Sequence, residues 1–396
     1  MTNAEIVIIG GGVVGASVAF HLTERGCRDV LILERENALG RGSTGKATGG
    51  VRAQFETEIN IRLSLYSLDF FRDWDFDSGY EPRGYLFVAT DDQHLDFLKR
   101  SGETQKSLGY RDVKIVDVKT ISEMVPGLNC EDIVGGSFGP RDGFIDPMAV
   151  LEGFSSKAIA NGAKLETAIN VSSIVVSNGR VKAVETAGGM VECETVVICS
   201  GAWARGLAAT AGIDLPVEPL RRQIVWARLA RALPVEPPMV IDLSSGFHFR
   251  PARDFRVQPP ATAGGSDLQR DVLFAYPDKD ERPGFSTEFD EEFIGKVYEK
   301  ARNRAPFLAE SEVVREKCRA GLYENTPDHH AILGGCEVEG LYFANGFSGH
   351  GVMHSPATGR ALSEIILDGK ASFLDVSSLS LERFATGDLL HETGYI

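Results

Sequence analysis

The chain has 396 residues, 24% charged and 43% hydrophobic, with 41 Lys+Arg against 56 Asp+Glu and a formal net charge of -15. That length suggests two or three folding units, and the composition is too apolar for a disordered chain. The acidic balance argues against a general nucleic-acid binder or a protein held on anionic membranes. The 43 glycines follow no period, which excludes collagen.

The start, Met1-Thr-Asn-Ala-Glu-Ile6, has no basic n-region, so no signal peptide is expected. The longest apolar run, Ile6 to Phe20, holds four glycines and is too short for a membrane span. The six cysteines (Cys27, Cys130, Cys193, Cys199, Cys318, Cys336) form no Cys-x-x-Cys and read as reduced, buried small hydrophobes of a cytoplasmic protein. The histidines show no zinc-like spacing.

Residues 5–34 predict a strand, a tight turn, a helix from Val14 to Glu24, and a second buried strand at Val30–Glu34: a βαβ unit. A small-residue loop at 42–52 precedes a helix over Glu56–Trp74 and a strand at Gly84–Thr90. Residues 91–125 are charged and mostly helical. Asp146 reads as an N-cap with Pro147 at N1 of a helix ending at Asn161-Gly162. Strands follow at Lys164–Val171, Ser173–Ser177, Arg180–Thr186 and Thr195–Cys199. Pro216 to about Ala320 is richer in proline and alternating segments, with one helix near Asp290–Arg304, and reads as an antiparallel-sheet domain. The tail returns to a strand (Gly340–Asn345), a glycine loop, and a helix from about Ser355 to Leu367. The fold class is therefore α/β, a doubly wound nucleotide-binding domain with an inserted antiparallel-sheet domain. The expected boundaries are 1–83, 143–215 and 321–396 for the first, and 84–142 and 216–320 for the second.

Three glycine turns carry chemistry. In Gly10-Gly-Gly12-Val13-Val14-Gly15, the first glycine permits the tight turn. The second admits a pyrophosphate, and the third lets helix and strand pack closely. The helix N-terminus offers N–H groups to phosphates, and Glu34, nineteen residues after Gly15, suits ribose hydroxyls. With a strand before and a helix after, this is a dinucleotide fingerprint; its bland alternative is a structural glycine turn. The loop holding Ser43, Thr44, Lys46, Ala47, Thr48, Gly49 and Gly50 can wrap a flavin pyrophosphate and ribityl chain, or be a flexible surface loop; the residues weigh evenly. The second turn, Ser200-Gly201-Ala-Trp203, follows a buried strand and is either a ligand site or a plain strand-to-helix turn. The third runs Gly346-Phe347-Ser348-Gly349-His350-Gly351-Val352-Met353 and opens a helix whose amides suit a reduced flavin's negative charge.

Taken together, the fingerprint, the segment Gly42 to Phe55, the segment Ala320-Gly-Leu-Tyr-Glu-Asn-Thr-Pro-Asp328 and the third turn resemble the D-amino-acid oxidase/sarcosine oxidase superfamily of FAD enzymes. Within it the chain is most similar to sarcosine oxidase β-subunit-like proteins and the L-proline dehydrogenase β-subunit. The resemblance covers nearly the whole length in order. It implies oxidation of the C–N bond of a small amino acid or N-alkyl amino acid by hydride transfer to flavin N5, the electrons passing to oxygen or to an electron-accepting partner subunit. It implies that Arg52 holds a substrate carboxylate and that Tyr323 lines the pocket; His248, on the inserted strand, is a third candidate. A loop-anchoring ion pair for Arg52, core packing for Tyr323 and a structural use for His248 stand as alternatives. Arg35, Val171 and Gly321 complete the candidate cofactor contacts. Gly321 and Lys46 occupy positions where relatives tether FAD through cysteine or histidine, so the flavin is expected to be non-covalent. Met353 replaces a carboxylate-gripping lysine, and no lysine occurs from Ile241 to Asp278, which weakens an oxidase reading in favour of a dehydrogenase. A 2-hydroxy-acid oxidoreductase and a flavin-containing assembly factor with little turnover are the competing functions. No nucleic acid or membrane partner is expected.

Overall fold

The computed structural model describes residues 3–252 and 270–392. A six-stranded sheet runs Ile332–Gly335, Leu341–Asn345, Thr195–Ile198, Ile6–Ile9, Val30–Leu33, Lys164–Glu166. It is parallel except at the Ile332–Gly335 edge. The central strand IVII is apolar throughout because both faces are covered. Ile6 and Ile8 join a core with helices Val13–Glu24, Glu58–Asp73, Pro147–Ala160 and Gly351–Asp368. Val7 and Ile9 face helix Ala204–Thr210 and a three-stranded sheet, Val171–Ser177, Arg180–Thr186 and Gly189–Glu192. The Asp146 side chain accepts from Met148 N at 2.8 Å and starts its helix as expected.

The last long helix departs from expectation. It begins at Gly351, not Ser355, so the glycine loop supplies its first turn. Pro356 has no amide to offer Val352 O, and Ser355 Oγ donates to that carbonyl instead at 2.8 Å, which lets the helix pass through the proline. The helix also packs closely on Val13–Glu24. A Cβ on Gly359 would lie 2.3 Å from Ser17 Oγ, and Ser17 Oγ donates to Ser355 O at 2.7 Å.

The second sheet has nine strands. Its main path runs Glu312–Val313, Glu218–Arg228, Asp271–Ala275, His248–Pro251, Met239–Asp242, Tyr85–Ala89, Gly135–Gly139, Lys114–Val116, with Arg319–Asn325 paired to the first half of Glu218–Arg228. It is antiparallel except at one seam. There Met239–Asp242 runs parallel to Tyr85–Ala89, because the two strands come from separate stretches of chain. The boundary expected at residue 321 falls inside strand Arg319–Asn325. A two-stranded ribbon, Gly50–Val51 with Gly143–Phe144, ties the first glycine-rich loop to this part of the molecule.

All six cysteines are unpaired; Cys193 and Cys199 are buried, and the other four are only half-buried, contrary to the expectation of full burial. Among the described residues no helix is long and apolar enough to cross a membrane, and no cluster of His, Cys, Asp or Glu could hold a metal ion.

The C-terminal segment is anchored by a buried ion pair. Arg383 Nε and Nη2 donate to the two oxygens of Asp328 at 2.8 and 3.0 Å, and Nη2 also donates to His330 O at 2.8 Å. The side chains are 3% and 1% exposed, so removing one partner strands the other in a low-dielectric site. Arg383→Leu is expected to lower the free energy of unfolding by about 3–5 kcal/mol, measured by urea titration; a loss under ~1 kcal/mol would show that water reaches Asp328.

Candidate functional site

The carboxyl ends of Ile6–Ile9, Thr195–Ile198 and Leu341–Asn345 open onto one cavity of about 480 Å³. Met239, Ile241, His248 and Ala275 line it from the nine-stranded sheet. The three glycine turns, far apart in the chain, meet here.

At the first turn Gly10 has φ +110°, and a Cβ there would lie 2.4 Å from Cys199 O. Only glycine fits this crossing of two strand ends. Gly12, Val13 and Val14 line the cavity. Gly15 does not. Its Cβ would sit 2.0 Å from Gly10 O, so it serves helix–strand packing and is not a ligand contact.

Residues 42–50 are not a free surface loop. Thr44 Oγ1 accepts from Val13 N at 3.1 Å, and Ser43 Oγ donates to Leu322 O at 2.7 Å. Arg319 donates to Lys46 O and Ala47 O at 3.1 and 3.0 Å, and Arg250 to Thr48 O. A Cβ on Gly50 would collide with the Tyr85 hydroxyl at 1.8 Å. The loop, including Lys46 and Gly49, lies along the cavity wall.

Farther along, the Glu34 carboxylate accepts from Gly11 N at 2.8 Å and Glu36 N at 2.9 Å, keeping further acceptor capacity at the cavity. The Arg35 guanidinium lies 3.6 Å over the Trp203 ring, on whose side Phe285 also stacks at 5.8 Å. Val171, Ser200 and Gly201 line this part as expected.

In the third turn Phe347, Gly349, His350, Gly351, Val352 and Met353 line the cavity, but Gly346 and Ser348 do not. Those two shape the turn. Gly346 has φ +73° with Thr326 Cγ2 2.4 Å from its Cβ position, and Ser348, at φ +50°, donates its amide to Glu324 O.

The expected catalytic residues gather at one end. Arg52 is 6% exposed. It donates to Gln54 O, its Nη2 lies 3.4 Å from His350 Nε2, and its guanidinium lies 3.8 Å over the Phe55 ring. The Arg donates, so His350 Nε2 carries no proton. Burial, with the Arg52 charge adding to it, holds His350 neutral, and burial lowers His354 to about 3. Tyr323 packs on Gly349, whose Cβ would lie 2.4 Å from the ring; desolvation raises the phenol's pKa. His248 is half-buried on the cavity wall, its Nδ1 2.9 Å from Gly246 O. Gly321 lines the cavity beside Lys46, whose Cβ lies 3.1 Å from the Gly321 Cβ position.

Sequence reasoning missed Tyr85, Asp142, Arg222, Glu324 and Asn345. Asp142 is fully buried behind the Arg52 loop and accepts from Ala53 N, Gln54 Nε2 and Tyr110 Oη at 2.8, 2.8 and 3.0 Å. Burial pushes its carboxyl up to about 7. Glu324 stands next to Tyr323 within a quoted motif and is held by Asn345 Nδ2 and Phe347 N, both at 3.4 Å.

Residues 5–365 match the family model DAO, FAD dependent oxidoreductase. The chain belongs to this family. FAD-dependent oxidoreductase domain-containing protein 1 of Xenopus laevis is 30% identical, covering 100% of this chain and 85% of that protein. Rat mitochondrial dimethylglycine dehydrogenase is also 30% identical over 96% of this chain, but over only 45% of its own length. Among solved structures, L-proline dehydrogenase from P. horikoshii superposes with a TM-score of 0.88 at 30% identity, covering 98% of this chain and 100% of that one. Glycine oxidase from Geobacillus kaustophilus gives 0.81 at 25%, covering 97% and 99%.

FAD is the family's cofactor, and the residues present fit it. Ser200 Oγ and Asn345 Oδ1, at the ends of two parallel strands on the cavity, are buried without a hydrogen-bond partner. Gly12 leaves open the space that a Cβ would occupy against Thr44 Oγ1. A long polar ligand would satisfy the first pair and use the second opening.

Desolvation pushes the Glu324 carboxyl up from 4.5 to about 7. Between those values the folded chain holds a proton that the unfolded chain has released, so this group's contribution to stability falls as pH rises. Glu324→Gln cannot ionise. Relative to the unaltered protein it should gain unfolding free energy between pH 4.5 and 7, read by urea titration of the flavin-saturated protein. A relative loss over that window would mean that Glu324 is ionised in the fold.

Proposed function

We propose that the protein oxidises the C–N bond of a small amino acid or N-alkyl amino acid, with FAD held non-covalently in the cavity. Arg52 carries this reading. It is buried, lines the cavity, and joins no ion pair among the described residues. Glu392 and Asp142 act on it only through space. A buried guanidinium without a paired carboxylate is costly, and a substrate carboxylate supplies that partner in a geometry the planar fork matches. The names of the similar proteins, dimethylglycine dehydrogenase, L-proline dehydrogenase and glycine oxidase, support it.

The assignment of roles follows from position. Gly12, the start of helix Val13–Glu24 and Thr44 would hold the pyrophosphate; Glu34 would hold the ribose; the turn from Phe347 to Met353 would hold the flavin end. Bound there, FAD would supply the electron sink for loss of a hydride from the carbon beside the nitrogen, an oxidation that would leave an imine for water to hydrolyse. Tyr323 keeps its proton and can donate to the bound substrate. The positive charge of Arg52 beside uncharged His350 and His354 disfavours an ammonium ion, so the amine is held in its electron-donating form. His248 has Nε2 left to take the proton that the amine sheds, and desolvation keeps that imidazole neutral beforehand.

Non-covalent attachment is supported by the side chains at the two tethering positions. Gly321 has no nucleophile, and the nearby Cys318 thiol is engaged with Trp226 O and Val314 O, away from the cavity lining. Acid precipitation should leave the yellow colour in solution; a coloured pellet overturns this point.

Anaerobic mixing with a panel of amines and 2-hydroxy acids tests the reaction. Bleaching of the flavin by amino or N-alkyl amino acids is expected, and bleaching by hydroxy acids alone sinks the proposal. Admitting air then reads whether oxygen takes the electrons. Arg52→Ala should raise KM for carboxylate substrates by the equivalent of about 2–3 kcal/mol. An unchanged KM would remove Arg52 from the substrate site.

A further inference from the structure

A second arginine, Arg222, reaches the same end of the cavity. It sits on strand Glu218–Arg228, opposite Gly321 in an antiparallel ladder that also places Leu220 opposite Tyr323. Directly opposed residues share a face, and residues two apart on one strand share it too. Arg222, Gly321 and Tyr323 therefore lie on one face of the strand pair, where all three line the cavity and Lys46 packs over Gly321. The Arg222 guanidinium carbon is 5.5 Å from the centre of the Tyr323 ring. Its neighbour Arg221 turns to the other face and pairs with Glu281 at 3.0 Å.

Arg222 has no such acid. Its Nη1 makes a long bond to Arg221 O at 3.3 Å, and its enclosed Nε has no partner. None of the ion pairs among the described residues includes Arg222 or Arg52. Both charges act on the Tyr323 hydroxyl. The other polar groups near them do not cancel these charges. His248, His350 and His354 are neutral, Gln223 is an amide engaged with Asp290 N, and Glu324, which also lines the cavity, is tied to Asn345 Nδ2 and Phe347 N, with burial raising its carboxyl to about 7. Glu392 and Asp142 act on Arg52 through space, but neither lines the cavity. One cavity wall thus carries two guanidinium groups and a tyrosine hydroxyl, and among the described residues no carboxylate pairs with either guanidinium.

We infer that the substrate bears two acidic groups, one held by Arg52 and a second held by Arg222, which makes it a dicarboxylic amino acid or an N-carboxyalkyl amino acid. This rests on the amine-oxidation reading proposed above and narrows it. A substrate with a single carboxylate would leave one guanidinium desolvated without a counter-ion, at an energetic penalty that a second carboxylate removes. Selection arises from the cost of the wrong ligand as much as from attraction to the right one.

The experiment compares matched pairs on the FAD-loaded protein: sarcosine with iminodiacetate, and N-methylalanine with N-methylaspartate. At least one diacid is expected to exceed its monoacid partner in kcat/KM by about 10–100-fold. Arg222→Met should erase that advantage without lowering kcat/KM for the monoacid, and Arg222→Lys should restore part of it. Binding of glutarate against butyrate, followed by perturbation of the flavin absorbance, reads the two cations without turnover and should show the same ratio and the same loss. Monoacids equal to or better than diacids in both assays overturn the inference. So does Arg222→Met impairing both classes alike, which would mean that the two arginines grip one carboxylate. Release of flavin by that variant would assign Arg222 to the cofactor and also overturn it. If no amine of either class bleaches the flavin yet glutarate binding still depends on Arg222, the amine reading fails while the two-anion site stands.

Discussion

Parallel pairing at the centre of the six-stranded sheet is the constraint on which the site depends. Ile9 is registered with Ile198, and Ile198 with Phe343, so three strands end side by side pointing the same way. Each must reverse at the same edge, and each does so through glycine. Gly10 and the carbonyl of Cys199 are in contact there, so the first two turns touch. The cavity is the space left above these reversals once the nine-stranded sheet has closed over them.

The second constraint is electrostatic. Arg52 is held firmly without being neutralised. Asp142 clamps the backbone and side chain of the next two residues through Ala53 and Gln54, and Tyr110 completes its shell. The same burial that makes Asp142 an effective clamp raises its carboxyl to about 7, which weakens it as a counter-charge. Glu392 also acts on Arg52 through space without pairing with it. A rigid cation with no paired carboxylate is costly to the fold and well suited to a site whose ligand brings the opposite charge. The neutral histidines His350 and His354 extend that logic: His354 is hydrogen-bonded to Ser64 at 2.9 Å and adds packing without charge.

Much of this was legible along the chain. The strand–turn–helix–strand at the N-terminus, the Asp146 cap, the buried strand before Ser200 and the tail strand before Gly346 follow from local sterics and periodicity, and all stand where expected. Arg52, Tyr323 and His248 all line one cavity, and which face of its strand His248 takes was not readable from the chain. The misses have physical reasons. The tail helix was expected from about Ser355 but starts at Gly351 and passes through Pro356, where a serine hydroxyl takes over the lost backbone bond. Gly346 and Ser348 belong to a ligand-like motif yet face Thr326 and Glu324, because a turn has an inside and an outside that composition does not distinguish.

Sequence alone determined where the backbone must bend sharply or pass close to another strand, since a glycine or a capping aspartate expresses that requirement at a single residue. Tertiary structure decided which side chains look into the cavity. Arg221 and Arg222 are the same residue type in adjacent positions. One pairs with Glu281 and the other meets Tyr323 only because of the register between strand Glu218–Arg228 and a strand about a hundred residues later. A strand alternates its faces every residue, so a shift of one position in that distant pairing would exchange their roles; no local signal in the chain specifies it.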